Sequence, residues 1–124
     1  LPKIYVDEEQ LKQVMLNILI NALQAIHHDG QLTVRTWFNS DEDTIAVSVT
    51  DNGVGIAPEN ISRLFDPFFT TKETGTGLGL AICYTIAHRH GAAIAFATGS
   101  AGTTCTVRFP AVPPAPAEGD RPDV

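Results

Sequence analysis

The chain lacks the features that mark secreted, membrane-spanning and metal-stapled proteins. Its only two cysteines, Cys83 and Cys105, have neither zinc-ligand spacing nor a disulfide framework, so we expect two reduced thiols packed in the core. The longest apolar run, residues 92–97, is six residues long, whereas a membrane-spanning helix needs about 20. No basic and then apolar leader opens the sequence, so we expect no signal peptide. These absences favour a cytoplasmic domain that makes no membrane contact itself, whether or not a parent protein is membrane-anchored.

Basic residues are also scarce. Eight Lys and Arg residues stand against 14 Asp and Glu, the formal net charge is −6, and the basic residues form no run. A nucleic-acid partner is therefore not expected, because phosphate backbones are bound by clustered Lys and Arg. What is present is an ordinary globular composition, 44% hydrophobic and 18% charged, over a length of 124 residues that suits one domain. Five of the eight prolines lie in the last fifteen residues, which predicts a folded domain over residues 1–110 and a flexible tail over residues 111–124.

Hydrophobic periodicity predicts the element order β-α-β-β-loop-α-β-β. A short strand is expected at residues 3–6, and an amphipathic helix over residues 8–27 with Asp7 as its N-cap and a glycine stop at residues 28–30. The remaining expectations are strands at 31–38, 44–51, 92–98 and 103–109, a helical turn after Pro58, and a helix over 78–90 that ends at Gly91. This order predicts an α/β fold, a two-layer sandwich in which helices cover one face of a mixed, mostly antiparallel sheet.

The first predicted helix carries a stripe of uncharged polar side chains. Six residues lie within about 40° of the Asn17 direction on a helical wheel: Gln10, Gln13, Asn17, Asn21, Gln24 and His28. Amide oxygens are hard, neutral ligands of the kind that Mg²⁺ accepts beside phosphates and water. An exposed amide-rich face or a hydrogen-bonded seam between helices would give the same pattern, so the stripe alone leaves these alternatives open.

Three further motifs lie in predicted loops. Residues 51–55, DNGVG, follow a strand, where a carboxylate beside glycines suits a buried amine-bearing ring such as adenine; a tight hairpin turn is the alternative. Residues 74–80, TGTGLGL, lead into a helix whose free N–H groups attract phosphates, although a structural glycine turn explains the same sequence. Residues 64–72, LFDPFFTTK, hold three phenylalanines that we expect to anchor the loop, and Lys72 either reaches the same phosphates or is a surface lysine.

Together, the order and spacing of these motifs resemble the ATP-binding catalytic domain of sensor histidine kinases, and most of all the nitrogen-regulation branch. The resemblance rests on Asn17-x-x-x-Asn21, Asp51-x-Gly53-x-Gly55, Phe65-Asp66-Pro67-Phe68-Phe69 and Gly75-Thr76-Gly77-Leu78-Gly79-Leu80, and it extends over residues 3–110. It implies the Bergerat-type fold of the GHKL ATPase superfamily, with ATP and Mg²⁺ as the bound cofactors.

The resemblance also implies a role for each motif residue. Asn21 would ligate Mg²⁺ with Asn17 beside it, Asp51 would accept a hydrogen bond from the adenine amine, and residues 70–76 would form a lid with Lys72 as its phosphate-facing cation. Gly102-Thr103 resembles the final glycine-threonine element of the family. The implied nucleotide-binding set is Asn17, Asn21, Gln24, Asp51, Gly53, Gly55, Ile56, Lys72, Thr74, Gly75, Thr76, Gly77, Leu78, Gly79 and Thr103, with Asn17, Asn21 and Lys72 as the catalytic members. Gln24 and Ile26 stand where many such kinases have lysine and tyrosine, which leaves more of the phosphate charge to Lys72 and Mg²⁺.

The implied activity is that of a protein-histidine kinase, which transfers the γ-phosphoryl group of ATP to a histidine. None of the four histidines lies in the family's phosphoacceptor motif, so the acceptor would belong to a dimerisation and phosphoacceptor domain outside this chain, and a response-regulator receiver domain would be the further partner. A nucleotide-binding module without kinase activity is one alternative; a clamp ATPase or an anti-sigma serine kinase is another. Asn17 disfavours the latter pair, because it stands where those enzymes have a glutamate as general base and an amide takes no proton at neutral pH.

Overall fold

A computed structural model describes residues 1, 4, 6–26, 29–67 and 79–111. The elements along the chain are α1 (Glu8–Ala25), β1 (Leu32–Asn39), β2 (Thr44–Asp51), α2 (Pro58–Ile61), α3 (Gly79–Arg89), β3 (Ala93–Gly99) and β4 (Gly102–Pro110). Their order agrees with the predicted order after its first strand. In the described part of the chain, no helix has the combination of length and hydropathy needed to cross a bilayer.

The four strands form one sheet in the order β1-β2-β4-β3, and each neighbouring pair is antiparallel. The register places Val49 of β2 between Val34 of β1 and Cys105 of β4, and Val107 of β4 opposite Ile94 of β3. Side chains of β4 alternate between buried and half-buried, as expected where one face of a sheet meets the core. The predicted mostly antiparallel sheet, covered on one face, is confirmed.

Helices α1 and α3 supply the other layer. Each turns one apolar side to the sheet, as the 3.6-residue period predicts. The polar stripe of α1 lies beside that buried side, and the side opposite to it carries exposed apolar residues, Leu16, Ile20 and Leu23. The buried residues of the two helices are Val14, Ile18 and Ala22 of α1 and Cys83, Ile86 and Ala87 of α3. They form the core together with buried strand residues, among them Val49, Cys105, Val107 and Phe109.

Helix α1 begins where the sequence predicts and ends earlier. The carboxylate of Asp7 accepts a hydrogen bond from Gln10 N, 3.1 Å away, so the predicted N-cap is confirmed. The predicted end at residues 27–30 is wrong, because the last helical residue is Ala25 and Ile26 is already extended. The physical reason lies elsewhere in the chain: the carbonyl of Ala25 accepts from the backbone N–H of Val54 at 3.1 Å, which ends the helix with a tertiary hydrogen bond.

Helix α3 ends at the glycine that the sequence indicates. Gly91 has a positive φ of 66°, and the N–H of Ala92 reaches back to the carbonyl of Ala87 at 2.9 Å. The helix end is also tied to the start of α1. Asp7 N donates to His90 Nε2 at 3.0 Å, while His90 Nδ1 lies 2.8 Å from the Ile86 carbonyl, so a single imidazole bridges the two helices.

At the start of the predicted domain the described residues form no strand, and at its end the structure describes one residue past Pro110. Ile4 and Val6 lie outside the strands and pack against the core as half-buried side chains. Their apolar side chains therefore serve burial and not pairing with a neighbouring strand. The other residues of the predicted 3–6 strand lie outside the described residues. Ala111 is buried and its N–H donates to the carbonyl of Asp43 at 2.7 Å. The described part of the chain thus includes one residue of the predicted tail, and residues 112–124 lie outside the described residues.

The two thiols are free and lie in the core, as expected. Burial raises the pKa of Cys83 to about 11, which a hydrogen bond with the Asn17 side chain partly offsets. Burial also raises the pKa of Cys105 to about 12, and the neighbouring Cys83 adds to that rise. Both thiols are consequently protonated and unreactive in the folded protein at neutral pH.

The raised pKa values predict alkaline destabilisation. A thiol that ionises at a higher pH in the folded state than in the unfolded state contributes stability that is fully present below the ordinary thiol pKa of 9.0. This contribution is lost as the pH rises from 9.0 towards 11 and 12. We expect the free energy of unfolding, measured with urea, to fall over that range, and iodoacetamide to label the thiols only after unfolding. A Cys83→Ala/Cys105→Ala variant with the same alkaline loss would contradict this assignment.

Candidate functional site

The loop after β2, residues 52–56, runs between two other parts of the fold. On one side, Val54 N donates to the Ala25 carbonyl at the end of α1, 3.1 Å away. On the other side, Ile56 N donates to Thr98 Oγ1 at 2.8 Å, near the end of β3. The loop is therefore fixed from both sides by backbone N–H groups, and the residue that precedes it, Asp51, is fixed with it.

Three glycines permit this close packing. A Cβ added at Gly53 would overlap the carbonyl oxygen of Ala25, and one added at Gly55 would overlap the carbonyl of Gly99. A Cβ added at Gly102, which has a φ of 131°, would overlap the carbonyl oxygen of Asp51. The sequence suggested that the glycines of the 51–55 motif let backbone approach a ligand ring; in the structure, what they approach is protein backbone.

Asp51 is a buried carboxylate, with 6% of its surface exposed. Its Oδ1 accepts a hydrogen bond from Gly53 N at 2.9 Å, which holds the side chain against the turn that follows it. An ionised carboxylate has two oxygens and accepts several hydrogen bonds, so it has room for further donors. In the register of the sheet, Asp51 lies opposite Thr103 of β4, which is also buried.

Asn52 has a structural role in the same motif. Its Oδ1 accepts from Gln31 N at 2.8 Å, and its own N–H donates to the Gln31 carbonyl at 3.3 Å. These two bonds fix the end of β2 to the residue that precedes β1. The hairpin-turn alternative for this motif is excluded, since residues 52–56 pack on α1 and β3 and no return strand follows them directly.

Sequence reasoning missed Thr98, which lies directly opposite Thr103 in the β3–β4 pair. The two hydroxyl oxygens are 2.9 Å apart, and Thr98 also receives the hydrogen bond from Ile56 N. In the sequence Thr98 looks like one more residue of an alternating strand. The sequence did contain a clue to its role. Thr98 and Thr103 stand at equal distances from the middle of the turn at residues 99–102, and residues so placed in a hairpin have their side chains on the same face of the sheet.

The polar stripe of α1 meets α3 at Asn17. The half-buried Asn17 side chain donates from Nδ2 to the carbonyl of Gly79, the first residue of α3, at 3.2 Å. Asn21 is half-buried one turn later, nearer to Ala25 and the 52–56 loop, whereas Gln24 is exposed. The structure thus brings Asn17 together with the last predicted glycine of the glycine-rich run.

Part of the predicted site lies outside the described residues. This applies to Lys72, Thr74, Gly75, Thr76, Gly77 and Leu78, and to Phe68 and Phe69 of the aromatic motif. The predicted aromatic anchor is confirmed for Phe65, whose ring centroid lies 5.2 Å from that of Tyr84 on α3 and 5.7 Å from that of Phe96 on β3. The chain that leads into residues 68–78 is accordingly fixed to the body of the domain.

The arrangement matches a known ATPase family. The family described as "Histidine kinase-, DNA gyrase B-, and HSP90-like ATPase" matches residues 6–113. This chain belongs to that family. The expected Bergerat-type fold and GHKL membership are confirmed, and the match covers α1, the 52–56 loop and the β3–β4 hairpin in one continuous segment.

Similar proteins narrow the assignment within the family. The signal transduction histidine-protein kinase AtoS of Escherichia coli K12 is 52% identical over 90 residues, 73% of this chain and 15% of AtoS. The sensor histidine kinase ZraS of the same strain is 41% identical over 111 residues, 89% of this chain and 23% of ZraS. The chain therefore spans less than a quarter of these relatives.

Solved structures agree with the sequence relatives. The catalytic domain of histidine kinase ThkA aligns with a TM-score of 0.80 and 33% identity, covering 89% of this chain and 72% of that domain. Full-length ShkA, in complex with AMPPNP, aligns with a TM-score of 0.79 and 32% identity over 89% of this chain and 23% of ShkA. The chain corresponds to the ATP-binding catalytic domain of sensor histidine kinases.

The close contacts at Gly53 predict that a larger residue there destabilises the fold, and Gly99 provides a matched control. Gly53→Ala should lower the free energy of unfolding by about 1–3 kcal/mol, because the new methyl group overlaps the Ala25 carbonyl and forces the loop away from α1. Gly99→Ala is the control, since a Cβ there meets nothing within 4 Å. Urea unfolding followed by Trp37 fluorescence measures both, and equal midpoints for the two variants would refute the packing argument.

Proposed function

We propose that this domain binds ATP beside α1, the 52–56 loop and the β3–β4 hairpin, and transfers the γ-phosphoryl group to a histidine of a separate dimerisation and phosphoacceptor domain. The observation that carries the proposal is the placement of buried Asp51 next to an amide-lined helix that Asn17 joins to the start of α3. Support comes from relatives that are named histidine kinases and from the AMPPNP bound in ShkA, since AMPPNP is an ATP analogue.

Adenine is the base that Asp51 suits. An ionised carboxylate only accepts hydrogen bonds, so it pairs with the exocyclic amine of adenine and repels the corresponding carbonyl oxygen of guanine. Burial increases the preference for adenine over guanine. A buried carboxylate that faces a second acceptor has lost its hydrogen bonds to water and gains none in their place. In this proposal Gly53, Gly55 and Ile56 form the wall beside the base, and Thr103 lies next to the carboxylate.

The phosphates would lie along the part of the polar stripe of α1 that Asn17 and Asn21 form. Asn21 offers a neutral amide oxygen on a half-buried helix face, which fits Mg²⁺, an ion that takes one or two protein ligands and completes its shell with phosphates and water. Within the described residues no group of three or more His, Cys, Asp or Glu side chains is placed to hold a metal, so an amide-and-phosphate site is the arrangement these residues support. Mg²⁺ bound there would neutralise phosphate charge.

Phosphoryl transfer to a histidine requires the protein to position ATP and the imidazole more than it requires a residue that takes up a proton. Neutral imidazole already has a lone pair on one ring nitrogen, so it attacks the γ-phosphorus without a base; the N–P bond forms as the bond to the bridging oxygen breaks and ADP leaves. Asn17 cannot accept a proton at neutral pH, which suits this acceptor and not a water or serine hydroxyl. We assign residues 70–76 to a lid over the phosphates, with Lys72 offsetting charge and with Gly75, Gly77 and Gly79 letting the lid and the helix that follows it close over them.

The partners follow from the same chemistry. A phosphoacceptor domain must present its histidine to the bound ATP, and a response-regulator receiver domain would take the phosphoryl group onward. The proposal puts the domain in the cytoplasm, because a kinase needs a supply of ATP. The competing function is a nucleotide-binding module without transfer, which shares the base pocket and lacks only turnover.

Base selectivity tests the pocket. Asp51→Asn should weaken ATP binding by about tenfold or more and reduce the preference for ATP over GTP, because the amide can donate to guanine where the carboxylate cannot. Calorimetric titration of the whole chain with each nucleotide, in Mg²⁺, gives both constants. Asp66→Asn, at an exposed acid in the loop after α2, is the charge-matched control. An unchanged ATP:GTP ratio in Asp51→Asn would remove Asp51 from base recognition.

Phosphotransfer tests the enzyme. Incubation with γ-labelled ATP, Mg²⁺ and the phosphoacceptor domain of the parent kinase should give an acid-labile, alkali-stable phosphoprotein. Asn21→Ala should slow its formation by about tenfold or more, whereas Gln13→Ala, at an exposed amide of the same helix, should not. An acid-stable product would indicate a serine kinase, phosphate release alone an ATPase, and binding without either product a nucleotide-binding module.

A further inference from the structure

We propose that Thr98 is a positioning residue that sharpens the preference for adenine by fixing the direction of the Thr103 hydroxyl proton. Thr98 is outside the nucleotide-binding set that the motifs imply, and it lies behind Thr103 on the neighbouring strand. The inference rests on the proposed ATP-binding function and specifies how the base end of that site is built.

The Thr98 hydroxyl has three neighbours within the described residues. It accepts from Ile56 N at 2.8 Å, lies 2.9 Å from Thr103 Oγ1, and lies 3.4 Å from the carbonyl oxygen of Gly102. A hydroxyl has a single proton to donate. That proton therefore goes either to Thr103 or to Gly102, and the choice determines what Thr103 can do.

Distance favours Thr103. A separation of 2.9 Å is normal for a hydroxyl hydrogen bond, whereas 3.4 Å is beyond the usual range. The Thr98 oxygen also accepts from the N–H of Ile56, and a hydroxyl that accepts a hydrogen bond becomes a stronger donor. With Thr98 donating, Thr103 accepts from behind and its own proton is left to point away from Thr98.

The consequence is a donor next to an acceptor. Asp51 and Thr103 are directly opposite each other in adjacent strands, both buried, and such cross-strand pairs have Cβ atoms about 4.5–5.5 Å apart. The carboxylate accepts and the hydroxyl donates. Adenine presents the complementary pair, an amine that donates beside a ring nitrogen that accepts, whereas the Watson–Crick edge of guanine presents the reverse.

A double-mutant cycle tests this assignment, with ATP and GTP affinities measured by calorimetry on the whole chain. Thr98→Val removes the hydroxyl at nearly constant volume and should reduce the ATP:GTP affinity ratio about fivefold or more, while Thr98→Ser should retain the wild-type ratio. Thr103→Val should reduce the ratio as well. The double variant should be no less selective than Thr103→Val alone, because Thr98 acts through Thr103.

Other results would overturn the proposal. An equal loss of ATP and GTP affinity in Thr98→Val would mean that Thr98 only anchors Ile56, and additive losses in the double variant would mean that the two threonines act independently. Wild-type protein that binds neither nucleotide would instead refute the proposed function. If a variant fails to fold, binding of two ATP analogues to the wild-type protein still tests the proposal. The analogues 1-deaza-ATP and 7-deaza-ATP each lack one of the ring nitrogens that accept a hydrogen bond beside the amine. If both bind as tightly as ATP, Thr103 donates to neither.

Discussion

The site depends on contacts between backbone and backbone where α1, the 52–56 loop and the β3–β4 hairpin converge. The last carbonyl groups of a helix have no partner within it, and here Val54 N–H supplies one to Ala25. Gly53 permits that approach, and Gly55 permits the corresponding approach on the hairpin side. The end of α1, the path of the loop and the position of Asp51 are thus one structural arrangement, and a side chain at either glycine disturbs all three.

Electrostatics follow from that arrangement. A domain of net charge −6 has no general attraction for a polyanion, so phosphate binding must depend on local features. The amide stripe of α1 brings no negative charge to the site, and Asn17 holds the start of α3, whose first turn has a positive dipole end, against that stripe. Uncharged amides next to a helix N-terminus are compatible with phosphates. A stripe of Glu and Lys would place carboxylates, which repel phosphates, beside the ammonium groups that attract them.

The sequence predicted what local patterns determine and missed what the register and tertiary contacts determine. β2 has the predicted bounds, because β-branched residues fill most of the strand and polar turn residues flank it, and the Asp7 cap and the Gly91 stop are likewise local signals. Asp51 was assigned to the site because its motif is short and contiguous. The end of α1 was placed too late because its determinant, the N–H of Val54, lies in a distant segment. Thr98 was missed for the same reason, since its significance comes from pairing with Thr103 and from Ile56 N–H.

Position 17 shows how one side chain serves fold and chemistry together. The Nδ2 of Asn17 donates to the Gly79 carbonyl, so the fold requires a donor there, and a glutamate would place a second acceptor against that carbonyl. Under the proposed function, the same amide leaves the site without a proton acceptor at the position where a serine kinase or a clamp ATPase would have a carboxylate. The hydrogen bond that joins α1 to α3 and the proposed suitability for a histidine acceptor therefore both depend on Asn17. In this domain, a Glu at position 17 would cost the helix contact before it could act as a base.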